Sequence, residues 1–261
     1  MTNYDFIKKY SELQRGIMFD ELTNVGFGLL GYCKNDPSSF WNNILVNQLL
    51  TENQLLEIEE KFKILSRKPA IYFENKPELG LFVDFLKGKR YKKENEDSWM
   101  FYENDLKIET DFGSVKNVIS EKKLEVFLQT FNTCYQKNDP KNPYGELGDY
   151  LGVAKNVWLK FQGTDRLEYF LIYKGNEPVA VSTLTNFNGI GYISNVGSLQ
   201  KVRGEGFGKI ATLYAVKKSQ ENGNTEHCLA TKEGTNPNEF YKNLGFQTRF
   251  TALLYVKEDN Q

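Results

Sequence analysis

The sequence predicts an α/β (α+β) protein, with a mixed central sheet flanked by helices and two successive units. Three observations predict this. Apolar strand-like runs alternate with amphipathic helical patterns from about residue 106 to the end. The run Val196-Gly197-Ser198-Leu199-Gln200-Lys201-Val202-Arg203-Gly204-Glu205-Gly206-Phe207-Gly208-Lys209 joins an apolar strand to a glycine-rich turn that opens a helix. The closing part of the same order recurs in degenerate form within residues 1–105.

In the first half, Thr51-Glu52-Asn53-Gln54 is a capping box that starts a helix reaching about Leu65. A strand over Pro69–Phe73, a helix near Pro77–Leu86 and a strand around Asp97–Tyr102 follow. In the second half, Leu106–Asp111 reads as a strand and Glu121–Gln136 as a helix with Leu124, Phe127, Leu128 and Phe131 on one stripe. A further helix lies within Gly145–Phe161. Leu167–Tyr173 and Pro178–Thr185 form a hairpin across Lys174-Gly175-Asn176-Glu177, and Tyr192–Val196 is the next strand. After the glycine turn come a helix (Lys209–Gln220), a strand (His227–Thr231), a helix (Asn238–Leu244) capped by Gly245, and a last strand (Arg249–Val256). Val83-Asp84-Phe85-Leu86-Lys87-Gly88 stands where Phe240-Tyr241-Lys242-Asn243-Leu244-Gly245 stands in the second half, and this sets the division 1–105 and 106–261. An unrelated α/β cap is the alternative for the first half.

Composition supports a globular chain: 40% of the 261 residues are hydrophobic and 14% aromatic. Of 33 Lys plus Arg and 34 Asp plus Glu, residues 1–105 hold 14 and 17, leaving 19 and 17 for residues 106–261, so neither half has the basic excess of a nucleic-acid binder. No run has the length of a membrane span, and Met1-Thr2-Asn3-Tyr4-Asp5 lacks the cationic and apolar parts of a signal peptide, so a cytoplasmic protein with no membrane partner is expected. Cys33, Cys134, Cys228 and the single His227 show no metal-ligand spacing and no disulfide framework. His227 and Cys228 are adjacent on a strand and point to opposite faces, which excludes a nucleophilic dyad between them.

The glycine turn suits a phosphorylated ligand, because glycine lets the main chain approach an anion and the helix start directs free N–H groups and a positive dipole end at it. Gly204 and Gly208 have three residues between them and Lys209 precedes Ile210, so the Walker pattern is absent. Gly204, Gly206 and Gly208 alternate strictly, which the dinucleotide fingerprint does not. The turn instead resembles the acyl-CoA signature of the GNAT N-acetyltransferase superfamily, Arg/Gln-x-x-Gly-x-Gly/Ala after a hydrophobic strand, with Arg203, Gly206 and Gly208 on its positions. Asn236-Pro237-Asn238-Glu239-Phe240-Tyr241-Lys242-Asn243-Leu244-Gly245-Phe246 looks like the family's second element, a helix ending in Tyr-x-x-Leu-Gly-Phe.

That resemblance implies a GNAT acyl-CoA N-acyltransferase fold for residues 106–261, a degenerate GNAT-like lobe for 1–105, and acetyl-CoA (CoA) as cofactor. It assigns cofactor contacts to Val196, Gly197, Ser198, Arg203, Gly204, Glu205, Gly206, Phe207, Gly208, Lys209, Asn236 and Tyr241. Tyr241 matches the tyrosine near the cofactor sulfur; a phenol at ~10 sits about 1.5 units above a thiol at ~8.5, so full proton transfer to the thiolate is uphill by ~2 kcal/mol and a hydrogen bond is the safer role. Asn195 and Glu168 are expected on strands flanking the acceptor cleft. The implied activity is transfer of an acetyl group to a primary amine of a small molecule or peptide by direct attack in a ternary complex, with a homodimer as the assembly to look for. A non-catalytic CoA-binding or regulatory module is the alternative.

Overall fold

The computed structural model describes residues 1–103, 108 and 110–259. The first half runs α1 (Asn3–Leu13), β1 (Glu21–Asn24), β2 (Gly28–Tyr32), β3 (Asn43–Val46), α2 (Glu52–Ile64), β4 (Ala70–Glu74), α3 (Gly80–Gly88) and β5 (Tyr91–Tyr102). The second runs β6 (Val115–Asn117), α4 (Glu121–Cys134), α5 (Tyr150–Phe161), β7 (Leu167–Lys174), β8 (Glu177–Phe187), β9 (Ile190–Ser198), α6 (Phe207–Glu221), β10 (Glu226–Lys232), α7 (Asn236–Lys242) and β11 (Phe246–Lys257). The mixed sheets and flanking helices are those the sequence predicts. Half of the strand expected over Leu106–Asp111 falls outside the described residues, and Ile108, Thr110 and Asp111 are not in a strand.

The chain divides into two compact units, residues 1–99 with 249–261 and residues 100–248. Each half therefore hands the end of its last strand to the other unit: β5 crosses at Trp99/Met100 and β11 at Thr248/Arg249. This differs from a linear division near residue 105. The physical reason is the pairing of β11 with β4, antiparallel from Ala252↔Glu74 to Val256↔Ala70, which buries Leu253 and Tyr255 with Ile58, Phe62, Phe73 and Phe82.

In the first unit β1, β2 and β3 are antiparallel neighbours, and β3 is parallel to β4. The helix α2 begins as its capping box requires: the Thr51 hydroxyl accepts from the Gln54 amide and the Gln54 side chain accepts from the Thr51 amide. The second unit has β6, β7, β8 and β9 antiparallel in order, then β10 parallel to β9. The α6 residues Ala211 and Ala215, both fully buried, bring that helix close to Phe170, Ile172, Leu184 and Ile193 on one sheet face. The other face carries α4, whose stripe residues Leu124, Phe127 and Phe131 are buried as the periodicity predicts, while Leu128 is only half-buried. Burying each such side chain contributes about 1.5–3 kcal/mol.

At the carboxyl end of α6 a polar chain links Asn222, Glu168, Asn186, Asn224, Ser219 and His227. Ser219 is fully buried and its Oγ lies 2.7 Å from His227 Nδ1. Burial lowers the His227 pKa, with Glu226 opposing it more weakly. A histidine with a depressed folded pKa binds its proton more readily in the unfolded chain. Stability is therefore fully present above the unfolded value of about 6.5 and is lost as pH falls through it towards the folded value. Urea unfolding at about pH 8 and about pH 5 should show this loss, and the pH slope should shrink in His227→Gln.

Candidate functional site

Two departures from regular sheet shape the second unit. Thr183 pairs with Ser194 and Val181 with Gly197, so β9 carries one residue more than β8 over this stretch. That is a β-bulge, and Asn195 within it has φ +53°, a left-handed conformation that asparagine tolerates better than most residues. The Asn195 side chain is held at both ends, its Nδ2 donating to Thr183 Oγ1 (3.2 Å) and its Oδ1 accepting from the Tyr150 hydroxyl (3.1 Å). The second departure is a splay. β10 pairs with β9 only at Glu226↔Ile190, His227↔Gly191 and Cys228↔Tyr192, although β9 runs on to Ser198 and β10 to Lys232.

Tyrosines gather around this gap. The Tyr135 hydroxyl donates to the Val196 carbonyl at 2.9 Å. Tyr144 lies 2.8 Å from Thr231 Oγ1 and accepts from the Lys232 amide at 3.4 Å. Gly197 permits the approach of α4: a Cβ there would stand 2.7 Å from Cys134 Cβ and 3.1 Å from Tyr135 Cε2. Tyr241, on α7, packs edge-on against Phe240 and Phe246. Its hydroxyl has no hydrogen-bond partner among the described residues. Burial, and then the neighbouring Tyr144, push its pKa up, so it is a protonated donor at neutral pH.

Beyond β9, residues Gln200–Val202 form a single 3-10 turn and Arg203 is extended. Gly204 (φ +88°) and Gly206 (φ +89°) are both left-handed, with nothing within 4 Å of where a Cβ would be. Gly206 is the N-cap of α6 and supplies no side-chain acceptor, so no side chain caps the first amides of the helix and their dipole is unanswered. The equivalent helix of the first unit has its own box closed by Thr51 and Gln54. Lys209 is exposed and has no ion-pair partner among the described residues. Glu205 pairs with Lys174 at 2.7 Å. Arg203 turns to Asp139, which it binds through both guanidinium nitrogens.

The structure thus brings Asn195, Val196, Gly197, Ser198 and the turn Arg203–Lys209 into one continuous segment. Asn236 is exposed at the first position of α7, five residues before Tyr241. Glu168 does not join them. It sits opposite Leu184 on the face that α6 covers, whereas Asn195 reaches Thr183, whose partner Tyr169 stacks on Phe127 of α4. Directly paired residues share a face, so Glu168 and Asn195 lie on opposite sides of the sheet. Glu168 Oε1 accepts from Asn222 at 2.6 Å, and Lys218 is 3.8 Å from its Oε2. Asn222 caps the end of the 15-residue α6, about 22 Å from the glycine turn. Burial raises the Glu168 pKa, against the pull of Asn222 and Lys218.

Sequence reasoning missed Tyr135, Tyr144, Tyr150, Thr183, Thr231 and Asp139. A signal for the tyrosines does exist: three of them fall within Cys134–Tyr150, a stretch between two helices that is otherwise rich in Asn, Asp, Lys, Gly and Pro. Among the described residues no group of three or more His, Cys, Asp or Glu could hold a metal ion, and no helix is long and apolar enough to cross a membrane.

The second unit thus combines a bulged strand splayed from its parallel neighbour with a glycine turn and a helix start that no side chain caps. Residues 124–246 match the acetyltransferase (GNAT) family, and this part of the chain is a GNAT domain. Among solved structures, a GCN5-related N-acetyltransferase from Kribbella flavida is 17% identical, with a TM-score of 0.67, and the match covers 97% of this chain and 95% of that one. A functionally unknown conserved protein from Staphylococcus epidermidis is 15% identical at TM-score 0.67, over 94% and 96%. A tandem GNAT protein from the clavulanic acid biosynthesis pathway is 12% identical at TM-score 0.58, over 100% and 89%. At these identities the likeness is one of fold. No match is found among curated proteins. Family and fold together support a general acyltransferase role.

The bulge gives a test of its own. Asn195→Ala loses both side-chain hydrogen bonds and leaves alanine in a left-handed conformation, so a stability loss of about 2–4 kcal/mol is expected by equilibrium denaturation. Asn195→Gly, which relieves the backbone cost, should lose less.

Proposed function

We propose that this protein is an acetyl-CoA-dependent N-acetyltransferase that acetylates a primary amine by direct attack in a ternary complex. The observation that carries the reading is the start of α6: two left-handed glycines with open space before them and helix amides that no side chain caps. The first-unit helix, capped by Thr51 and Gln54, offers nothing comparable, so residues 106–261 are read as the catalytic domain and 1–105 as a GNAT-like lobe without a cofactor.

In this reading the amides of residues 204–209 and the exposed Lys209 bind the pyrophosphate, with Phe207 and Gly208 in the first turn of the helix. The edge of β9 that faces the splay, from Val196 through Ser198, binds the extended arm as a further strand would, with Tyr135 holding the Val196 carbonyl. Asn236 reaches the same ligand from the start of α7. Acetyl-CoA, when bound, supplies an acetyl group activated as a thioester. Tyr241 donates a hydrogen bond to the departing sulfur. Its raised pKa makes complete proton transfer costlier than the ~2 kcal/mol of an ordinary phenol, which favours hydrogen-bond donation. Asn195, fixed by Tyr150 and Thr183, orients the acceptor side rather than accepting a proton. Glu168 has no step here, and water takes the proton from the amine.

The first measurement is thermal stability with acetyl-CoA, CoA, ATP and NAD in parallel. A selective rise with the CoA species is expected, about 2.7 kcal/mol at a hundredfold excess over Kd, and equal responses to ATP or NAD would count against the reading. Gly206→Glu should abolish that rise, because it places bulk and negative charge at the helix start. With a responsive amine found by thiol release, Tyr241→Phe should lower kcat about tenfold or more while leaving the CoA Kd unchanged. Wild-type turnover in that variant would make the tyrosine structural.

A further inference from the structure

We propose that Asp139 is a positioning residue for the acyl-CoA site: through Arg203 it fastens the Gly204–Gly206 turn to the α4–α5 loop, so that turn and loop form one rigid mount. The proposal rests on the acyltransferase reading of that turn.

Arg203 is the signature position from which a cation is expected to reach phosphate, yet its guanidinium is already taken. Nη1 donates to Asp139 Oδ1 at 2.6 Å and Nη2 to Oδ2, a bidentate pair between residues 64 apart. The Asp139 side chain is 0% exposed and that of Arg203 25%. The Lys141 amide donates to the same carboxylate at 3.0 Å, and the Gln200 side chain adds a further bond. Arg203 is thereby the main cause of a carboxyl held below its usual range. Removing one partner of a buried pair strands the other charge, so this contact has a cost of breaking that a surface pair lacks.

The loop beyond Asp139 is wired to the splay. The Asn142 amide donates to the Asp139 carbonyl, Asn142 Nδ2 donates to the Gly145 carbonyl at 2.7 Å, and the Tyr144 amide donates to Asn142 Oδ1 at 3.0 Å. Tyr144 then meets Thr231 on β10. One short segment therefore grips the turn after β9 at one end and β10 at the other. Two neighbouring left-handed glycines have no side chains with which to hold themselves, and the residue before them does it instead.

The test uses full-length protein with Asp139→Asn, Arg203→Gln and the double variant. The readouts are CoA affinity by calorimetry and amide hydrogen exchange over residues 203–209. Each single variant should weaken CoA about tenfold, the double no more than either single, and exchange in the turn should quicken in all three without ligand. If Arg203 instead binds phosphate directly, Arg203→Gln will weaken CoA while Asp139→Asn leaves or improves affinity, which overturns the proposal. Unchanged exchange in Asp139→Asn overturns it as well. A wild-type protein that does not bind CoA sinks the acyltransferase reading, while the exchange result still decides the mount. Should Asp139→Asn not fold, Arg203→Lys, which keeps the charge but not the paired hydrogen bonds, is read by the same two measurements.

Discussion

The extra residue in β9 is the constraint on which the second unit's site depends. A regular strand would continue to pair with β8 on one edge and β10 on the other, and its backbone groups would all be consumed. The bulge at Asn195 turns the strand, and β10 parts from it after Cys228↔Tyr192. Exposed main-chain edge is costly to leave in a protein interior, so the surroundings show how it is sustained. Asn195 accepts the left-handed backbone and is tied to Tyr150 and Thr183, and Tyr135 satisfies the Val196 carbonyl.

The two halves show how one topology is used in two ways. Each has a strand, a helix, a parallel strand, a helix and a closing strand, and each closing strand ends in the opposite unit. What differs is the entrance to the first of those helices. Thr51 and Gln54 satisfy the amides that begin α2, which stabilises the helix and removes its attraction for an anion. Gly206 leaves the start of α6 without a side-chain acceptor, a loss of roughly a few tenths of a kcal/mol of capping that makes sense where a ligand supplies the missing acceptors.

Much of this was legible in order and little of it in depth. The stripe of α4, the hairpin between β7 and β8, the capping box of α2 and the glycine turn each rest on residues within a few positions of one another, where periodicity and turn chemistry operate. The helix α1 and the short strands β1 to β3 left weaker traces, since strands of four or five residues offer too few alternations to read. Glu168 illustrates the limit. A carboxylate on a strand beside the expected cleft is a fair candidate by order along the chain, but the face on which it stands is set by register with β8 and by which helix covers that face.

By itself the sequence determined the fold class, the position of the glycine turn and the family likeness, because each is encoded locally: glycine at left-handed positions, apolar residues at helical and strand periods, a tyrosine at a fixed distance from Leu-Gly-Phe. Tertiary structure alone decided the splay of β9 and β10, the exchange of closing strands, the burial of Asp139 against Arg203 and the removal of Glu168 to the far side of the sheet. These depend on pairing register and on contacts across tens of residues, which no local pattern carries.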